Sequence, residues 1–269
     1  MLKDQQYITE RIRSLKSFLC IGLDPDVDKL PEVYKNSSAP VLNFCADVVD
    51  NSFEKAVAYK INIAFFESLG PDGWRQLEEL VAMIPKECFI IADAKRADIG
   101  NTSAQYAKYY FERLQVDALT LHPYMGIDSL EPFLNYKNKW SVILALTSNP
   151  GSADFEKIEI KENELLFERV IQKFNSTLYA DQIMYVVGAT HPDYMSKIRT
   201  QAPNNFLLIP GVGEQGGDLD LTVHSLRNER EGILINVSRK ILFPKGLESK
   251  IGDIKNAIQS YSDQMSKYF

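Results

Sequence analysis

The chain has 269 residues, 45% of them apolar and 25% charged, and a formal net charge of −6. That length suits one α/β barrel domain spanning 1–269 and is long for a single sandwich. The acidic balance weighs against a nucleic-acid partner, and no apolar run approaches the ~20 residues that cross a bilayer, so no membrane partner is expected either.

Near the start, Ile8, Ile12 and Leu15 recur at helical spacing among Lys3, Asp4, Glu10, Arg11, Arg13 and Lys16. This predicts an amphipathic helix closing the bottom of the core and not a secretory signal. Short apolar or β-branched runs then recur at Phe18–Leu23, Ala58–Ile63, Phe89–Asp93, Ala118–His122, Ser141–Leu146, Tyr185–Ala189, Phe206–Pro210 and Gly232–Val237. Helical spacing falls between them, as at Val41–Lys55, Trp74–Ile84, Thr102–Leu114 and Leu165–Leu178. Near-continuous apolar strands alternating with helices mean a parallel sheet covered on both faces. Eight such units in this length fit a (β/α)8 TIM barrel. Cys20, Cys45 and Cys88 are odd in number and lack paired spacing, which points to reduced, buried thiols and a cytoplasmic protein. His122, His191 and His224 form no metal-ligand cluster, and no metal is expected.

The polar residues follow the strands. Asp24 comes after the first, Lys60 lies within or at the end of the second, and Asp93 and Lys95 end the third. His122 follows the fourth, Thr147 and Ser148 the fifth, a glycine-rich loop the seventh and Arg239 the eighth. Barrel active sites are built at these carboxyl ends, so the placement marks one rim as functional.

The densest stretch is Asp93-Ala94-Lys95-Arg96-Ala97-Asp98-Ile99-Gly100-Asn101-Thr102. Side chains two apart on a strand share a face, which aims Asp93 and Lys95 the same way, with Asp98 at the turn into a helix. Three ionised groups beside a buried strand are expensive to dehydrate. They form either a structural ion-pair network or a lysine held charged between carboxylates, ready to stabilise an anion and protonate it.

After the seventh strand, Pro210-Gly211-Val212-Gly213-Glu214-Gln215-Gly216-Gly217 precedes a helix. Glycine backbone, a helix N-terminus and the guanidinium of Arg239 together suit a phosphate. The same glycines satisfy the dinucleotide pattern G-x-G-x-x-G. The next strand end reads Asn236-Val237-Ser238-Arg239, without the carboxylate that would hold a ribose, so a phosphate monoester is the better ligand.

From Leu23-Asp24 to Ser238-Arg239 these residues closely resemble the orotidine 5′-phosphate decarboxylases, in particular their longer subgroup. DAKRADIGNT matches the family signature D-x-K-x-x-D, PGVGEQGG its phosphate loop, and Ser148-Asn149-Pro150-Gly151 looks like its pyrimidine-contacting loop. The resemblance implies conversion of orotidine 5′-monophosphate to uridine 5′-monophosphate (UMP) and CO2 by a homodimer without cofactor. It places Lys60, Asp93 and Lys95 in one subunit's catalytic site, with Asp98, Ile99 and Thr102 crossing from the partner. Asp24 would bind ribose, Ser148 the pyrimidine, and Gln215 and Arg239 the phosphate, with Pro210 a further substrate contact. Ser238 departs from the glycine that many short members carry there.

Losing CO2 from C6 leaves an in-plane carbanion with no π system to absorb it, so the protein must supply fixed electrostatics. Blander readings stand beside several of these residues. Thr102 suits a helix N-cap and Asp24 a turn. His122 suits loop packing, and Tyr106, Tyr109 and Tyr110 suit core or dimer contacts. A magnesium-dependent sugar-phosphate enzyme of the same barrel superfamily and a non-catalytic phosphate binder are the competing functions.

Overall fold

The computed structural model describes residues 2–213 and 216–269. Eight parallel strands close a barrel in sequence order: β1 (Leu19–Leu23), β2 (Ala58–Asn62), β3 (Phe89–Arg96), β4 (Ala118–Leu121), β5 (Trp140–Leu146), β6 (Ile183–Val187), β7 (Phe206–Pro210) and β8 (Ile233–Val237). β8 returns to pair with β1 through Leu19 opposite Ile235. β1, β4, β5 and β6 are lined almost wholly by buried residues. That is the signature of strands covered inside and out. The expected barrel is therefore the fold, with strand ends within three residues of those read from sequence.

The first helix, α1 (Gln5–Leu15), begins at Asp4, whose carboxylate caps the Tyr7 N–H at 2.9 Å. Ile8 and Ile12 are buried, as the spacing predicted. Arg11 donates to the carbonyls of Phe53, Ala56 and Val57, just before β2. Thr9 donates to Arg230, shortly before β8, and Lys3 reaches Cys88 O and Asp117 at the feet of β3 and β4. These bonds gather the amino ends of the strands under one helix, which closes the bottom of the barrel.

Around the barrel run α2 (Pro40–Asp50), α3 (Gly70–Met83), α4 (Gly100–Lys108), α5 (Ile127–Leu134), α6 (Leu166–Asn175), α7 (Pro192–Gln201), α8 (Leu219–Leu226) and α9 (Ile251–Ser266). α4 continues into a wider π-helical turn over Tyr109–Arg113. Tyr110 is fully buried while Tyr106 and Tyr109 pack half-exposed on the core, so at least Tyr110 is a core residue. The long connection after β5 carries a small antiparallel hairpin, Glu159–Lys161 with Glu164–Leu165, that the sequence did not announce. Cys20, Cys45 and Cys88 are buried and free, and burial pushes the Cys20 thiol up to about 12. Among the described residues no helix is long and apolar enough to cross a membrane.

Candidate active site

At the carboxyl end of the barrel lies a cavity of about 280 Å³. Its lining includes Asp24, Lys60, Asp93, Lys95, Ser148, Pro210 and Arg239, contributed by the ends of six strands. Residues distant in sequence thus converge where the strand-end rule placed them.

Asp24, Lys60, Asp93 and Lys95 form an alternating row of charges. Lys60 Nζ lies 2.7 Å from Asp93 Oδ2 and 3.8 Å from Asp24 Oδ1, and Lys95 Nζ lies 2.6 Å from Asp93 Oδ1. Lys60 stands on β2 opposite Gly22 of β1, and its four-carbon stem carries the ammonium up to the rim. Side-chain exposure separates the two lysines: 8% for Lys60 but 51% for Lys95. Lys60 is the buried counter-ion, whereas Lys95 presents its ammonium to the open cavity.

Burial alone would drive Lys60 toward its neutral form. The carboxylates of Asp93 and then Asp24 more than offset this and hold it above the ordinary lysine value. Burial likewise opposes ionisation of Asp93, but Lys60 and Lys95 keep its carboxyl well below the usual carboxylate range. The pair therefore stays ionised because each charge is the solvent of the other.

Simple strand alternation does not deliver Lys95. The β3–β4 register breaks between Ala92 and Arg96, and Lys95 is left-handed, with φ +49°. A non-glycine residue there costs about 1–3 kcal/mol, which the surroundings must repay. Thr120 on β4 does so: its Oγ1 accepts the Lys95 N–H at 2.9 Å and donates to Asp93 Oδ1 at 3.0 Å. This buried threonine escaped the sequence reading. Its only signal was a lone hydroxyl in the strand Ala118-Leu119-Thr120-Leu121.

Asp24 Oδ1 is buried in the cavity with no hydrogen-bond partner. Such an acceptor awaits a donor, while the backbone carbonyl of Asp24 accepts the Asp26 N–H at 2.9 Å in the turn after β1. Asn236 and Lys240, neither of which was singled out from sequence, also line the cavity. A Cβ built at Gly22 would lie 2.8 Å from Ser238 Cβ. Glycine on β1 thus makes the room that serine after β8 occupies.

Asp98, Ile99 and Thr102 lie outside the cavity lining. Within one chain the Asp98 carboxylate accepts the Ile99 N–H at 2.7 Å, and Lys95 pairs with Asp93. Ile99 is 66% exposed and Thr102 is exposed. Thr102 is not an N-cap: Ile99 holds that position and α4 starts at Gly100, two residues earlier than expected. His122 lines a separate groove with Tyr124 and Phe155, in keeping with loop packing.

At the glycine-rich loop, Gly211, Gly213 and Gly216 all have positive φ, and Gly213 N–H donates to Gly217 O at 2.9 Å. The tight turn needs glycine at these places. The N-terminus of the following helix, α8, is closed by Asp218, which takes the Leu221 N–H at 2.7 Å. Its own carboxylate occupies the end that was expected to attract an anion, leaving the loop backbone and Arg239. Gln215 lies outside the described residues.

The carboxylates that would ligate a divalent cation already hold an ammonium between them, so the donor set does not suit a metal.

A profile of the orotidine 5′-phosphate decarboxylase / HUMPS family matches residues 17–251. The chain belongs to that family. The match takes in every barrel strand and leaves out α1 and nearly all of α9. Orotidine 5′-phosphate decarboxylase of Bacteroides fragilis is 43% identical over 267 residues, covering 98% of this chain and 97% of that one. The enzyme of the same name from Porphyromonas gingivalis is 48% identical over 242 residues, covering 89% and 88%. The solved structure of Leishmania donovani OMP decarboxylase superposes with a TM-score of 0.83 at 31% identity, covering 97% of this chain and 96% of that one.

Proposed function

We propose that this chain is an orotidine 5′-phosphate decarboxylase, a carboxy-lyase that makes UMP and CO2. One observation carries this: the Asp24–Lys60–Asp93–Lys95 row at the mouth of the cavity, in a chain 43% identical to a decarboxylase along nearly its whole length. In the reaction the C6–carboxylate bond breaks, CO2 leaves, and the electron pair stays on C6. The Lys95 ammonium lies beside that charge and gives its proton to C6; water then restores the lysine. Asp93 and Lys60 hold the ammonium in place before the reaction starts, so little reorganisation is needed at the transition state. The orphaned Asp24 acceptor suits a ribose hydroxyl, Ser148 the pyrimidine edge, and Pro210, the glycine loop and Arg239 the phosphate. Gln215 takes its phosphate role from the family motif. Binding the remote phosphate supplies energy that orders the charged groups.

The whole chain acts as one barrel domain in the cytoplasm, where its buried thiols stay reduced, and needs no cofactor. It works as a homodimer in which Asp98, Ile99 and Thr102 complete the partner's site. The exposure of Ile99 and the absence of Asp98 from its own chain's cavity lining support this arrangement. Mixing inactive Lys95→Ala and Asp98→Ala chains should then restore up to about a quarter of wild-type activity per site, because a mixed dimer rebuilds one intact site. Activity no higher than the two parents would refute site sharing.

The family also includes HUMPS enzymes, and a magnesium-dependent member would need cation ligands. An orotidine 5′-monophosphate assay with excess EDTA separates the two readings. Undiminished loss of the orotate absorbance supports the decarboxylase, whereas abolition by chelator and rescue by Mg2+ supports the metal-dependent alternative.

A further inference from the structure

The loop after β5 presents Ser148 to the cavity, and its backbone is held from several sides. Glu156, in the long connection beyond, turns back so that its carboxylate takes the Thr147 N–H at 2.7 Å and the Thr147 hydroxyl at 2.9 and 3.0 Å. The peptide on the other side of Thr147 is fixed too: its carbonyl accepts from His191 Nε2 at 2.7 Å, at the start of α7. Thr190 Oγ1 donates to the Ser148 carbonyl at 3.0 Å. Gly188 brings the floor up close, since a Cβ there would lie 2.6 Å from Ser148 Cα.

Glu156 is itself anchored. Its carbonyl accepts the Phe167 N–H at 2.9 Å, tying it to the first turn of α6. Burial raises its carboxyl pKa even though the bonds to Thr147 lower it. A half-buried carboxylate spent on one backbone N–H and one hydroxyl is costly to dehydrate. Its effect is to fix Thr147, the residue immediately before the one that faces the ligand.

We propose that Glu156 and His191 are positioning residues that clamp Thr147 from its two sides, Glu156 at the N–H and hydroxyl and His191 at the carbonyl, and so hold Ser148 at the angle needed to meet the pyrimidine, an inference that rests on Ser148 being the base contact. Small displacements matter here because a hydrogen bond weakens steeply with angle and distance. Neither residue lines the cavity, so both act through Thr147 and not on the ligand directly.

The test compares a ligand that has the base with one that lacks it. UMP and ribose 5-phosphate are titrated against wild type, Glu156→Ala, Glu156→Gln, His191→Ala and Ser148→Ala. Loss of a buried anchor should weaken UMP about ten- to a hundredfold in Glu156→Ala and His191→Ala. Ribose 5-phosphate should stay within about threefold of wild type. Glu156→Gln keeps an acceptor for the Thr147 N–H and should recover most of the UMP affinity. Equal weakening of both ligands, or of neither, overturns the proposal, as does a glutamine variant no better than alanine. If Glu156→Ala does not fold, His191→Ala and Glu156→Gln still decide. Ser148→Ala separates the premise: if it leaves UMP binding intact, the base contact itself is wrongly assigned. If it weakens UMP while the Glu156 and His191 variants do not, only the positioning role fails.

Discussion

Lys95→Ala should cut turnover of orotidine 5′-monophosphate by more than about a thousandfold while UMP binding stays within about tenfold of wild type. General acid catalysis contributes about 10²–10⁴-fold, and a lost electrostatic stabiliser costs a similar factor; the proposed reaction gives this lysine both roles. The stability change should be small because the Lys95 side chain is half-exposed. Removing it leaves Asp93 bonded to both Lys60 and Thr120. The melting temperature should therefore move by no more than about 4 °C, the shift expected for about 1 kcal/mol in a chain of this size. Loss of the orotate absorbance gives turnover, and thermal unfolding gives stability. A variant that keeps near-native turnover removes Lys95 from the chemistry. One that loses activity only by unfolding makes the row of charges merely structural.

Asp93→Asn should damage both stability and turnover. The substitution leaves the Lys60 ammonium buried, with Asp24 at 3.8 Å as its remaining carboxylate. Breaking a buried pair by removing one partner costs about 3–5 kcal/mol, which lowers the melting temperature by roughly 10 °C. Adding Lys60→Met should restore much of that stability and none of the turnover, since a buried pair replaced by apolar groups of similar size is often nearly neutral. The pH dependence has a definite sign. The Asp93 carboxyl is depressed in the folded protein, so its contribution is present above the ordinary carboxylate range and fades as pH falls below it. The Lys60 ammonium is raised, so its contribution is present below the ordinary lysine value and fades only as pH rises beyond it. The melting-temperature gap between wild type and Asp93→Asn should be flat from about pH 5 to 9 and narrow below about pH 4. A gap that closes near neutrality would mean the pair is not ionised as described.

Much of the site was legible because a barrel brings every strand's carboxyl end to one rim. Asp24, Lys60, Asp93, Lys95, Ser148, Pro210 and Arg239 could be grouped without any knowledge of distance, and all line one cavity. What failed was local. The glycine loop and the following helix read as one anion cradle, yet Asp218 closes the helix end, a bond that depends on its rotamer and not on spacing. Thr102 read as a helix cap because threonine suits caps, but the helix begins two residues earlier, at Gly100.

The order of eight apolar strands and the polar residue after almost every one is a one-dimensional pattern, and it determined the barrel, the rim that carries the cavity and the charged residues on it. Whether a buried lysine stays charged is a matter of ångströms. Only the fold set Lys60 between two carboxylates, forced Lys95 into a left-handed turn braced by Thr120, and seated Ser238 over Gly22. Alternation tells which face a side chain takes, while the register break in β3 and the cross-strand partners that repay it exist only once the strands are paired.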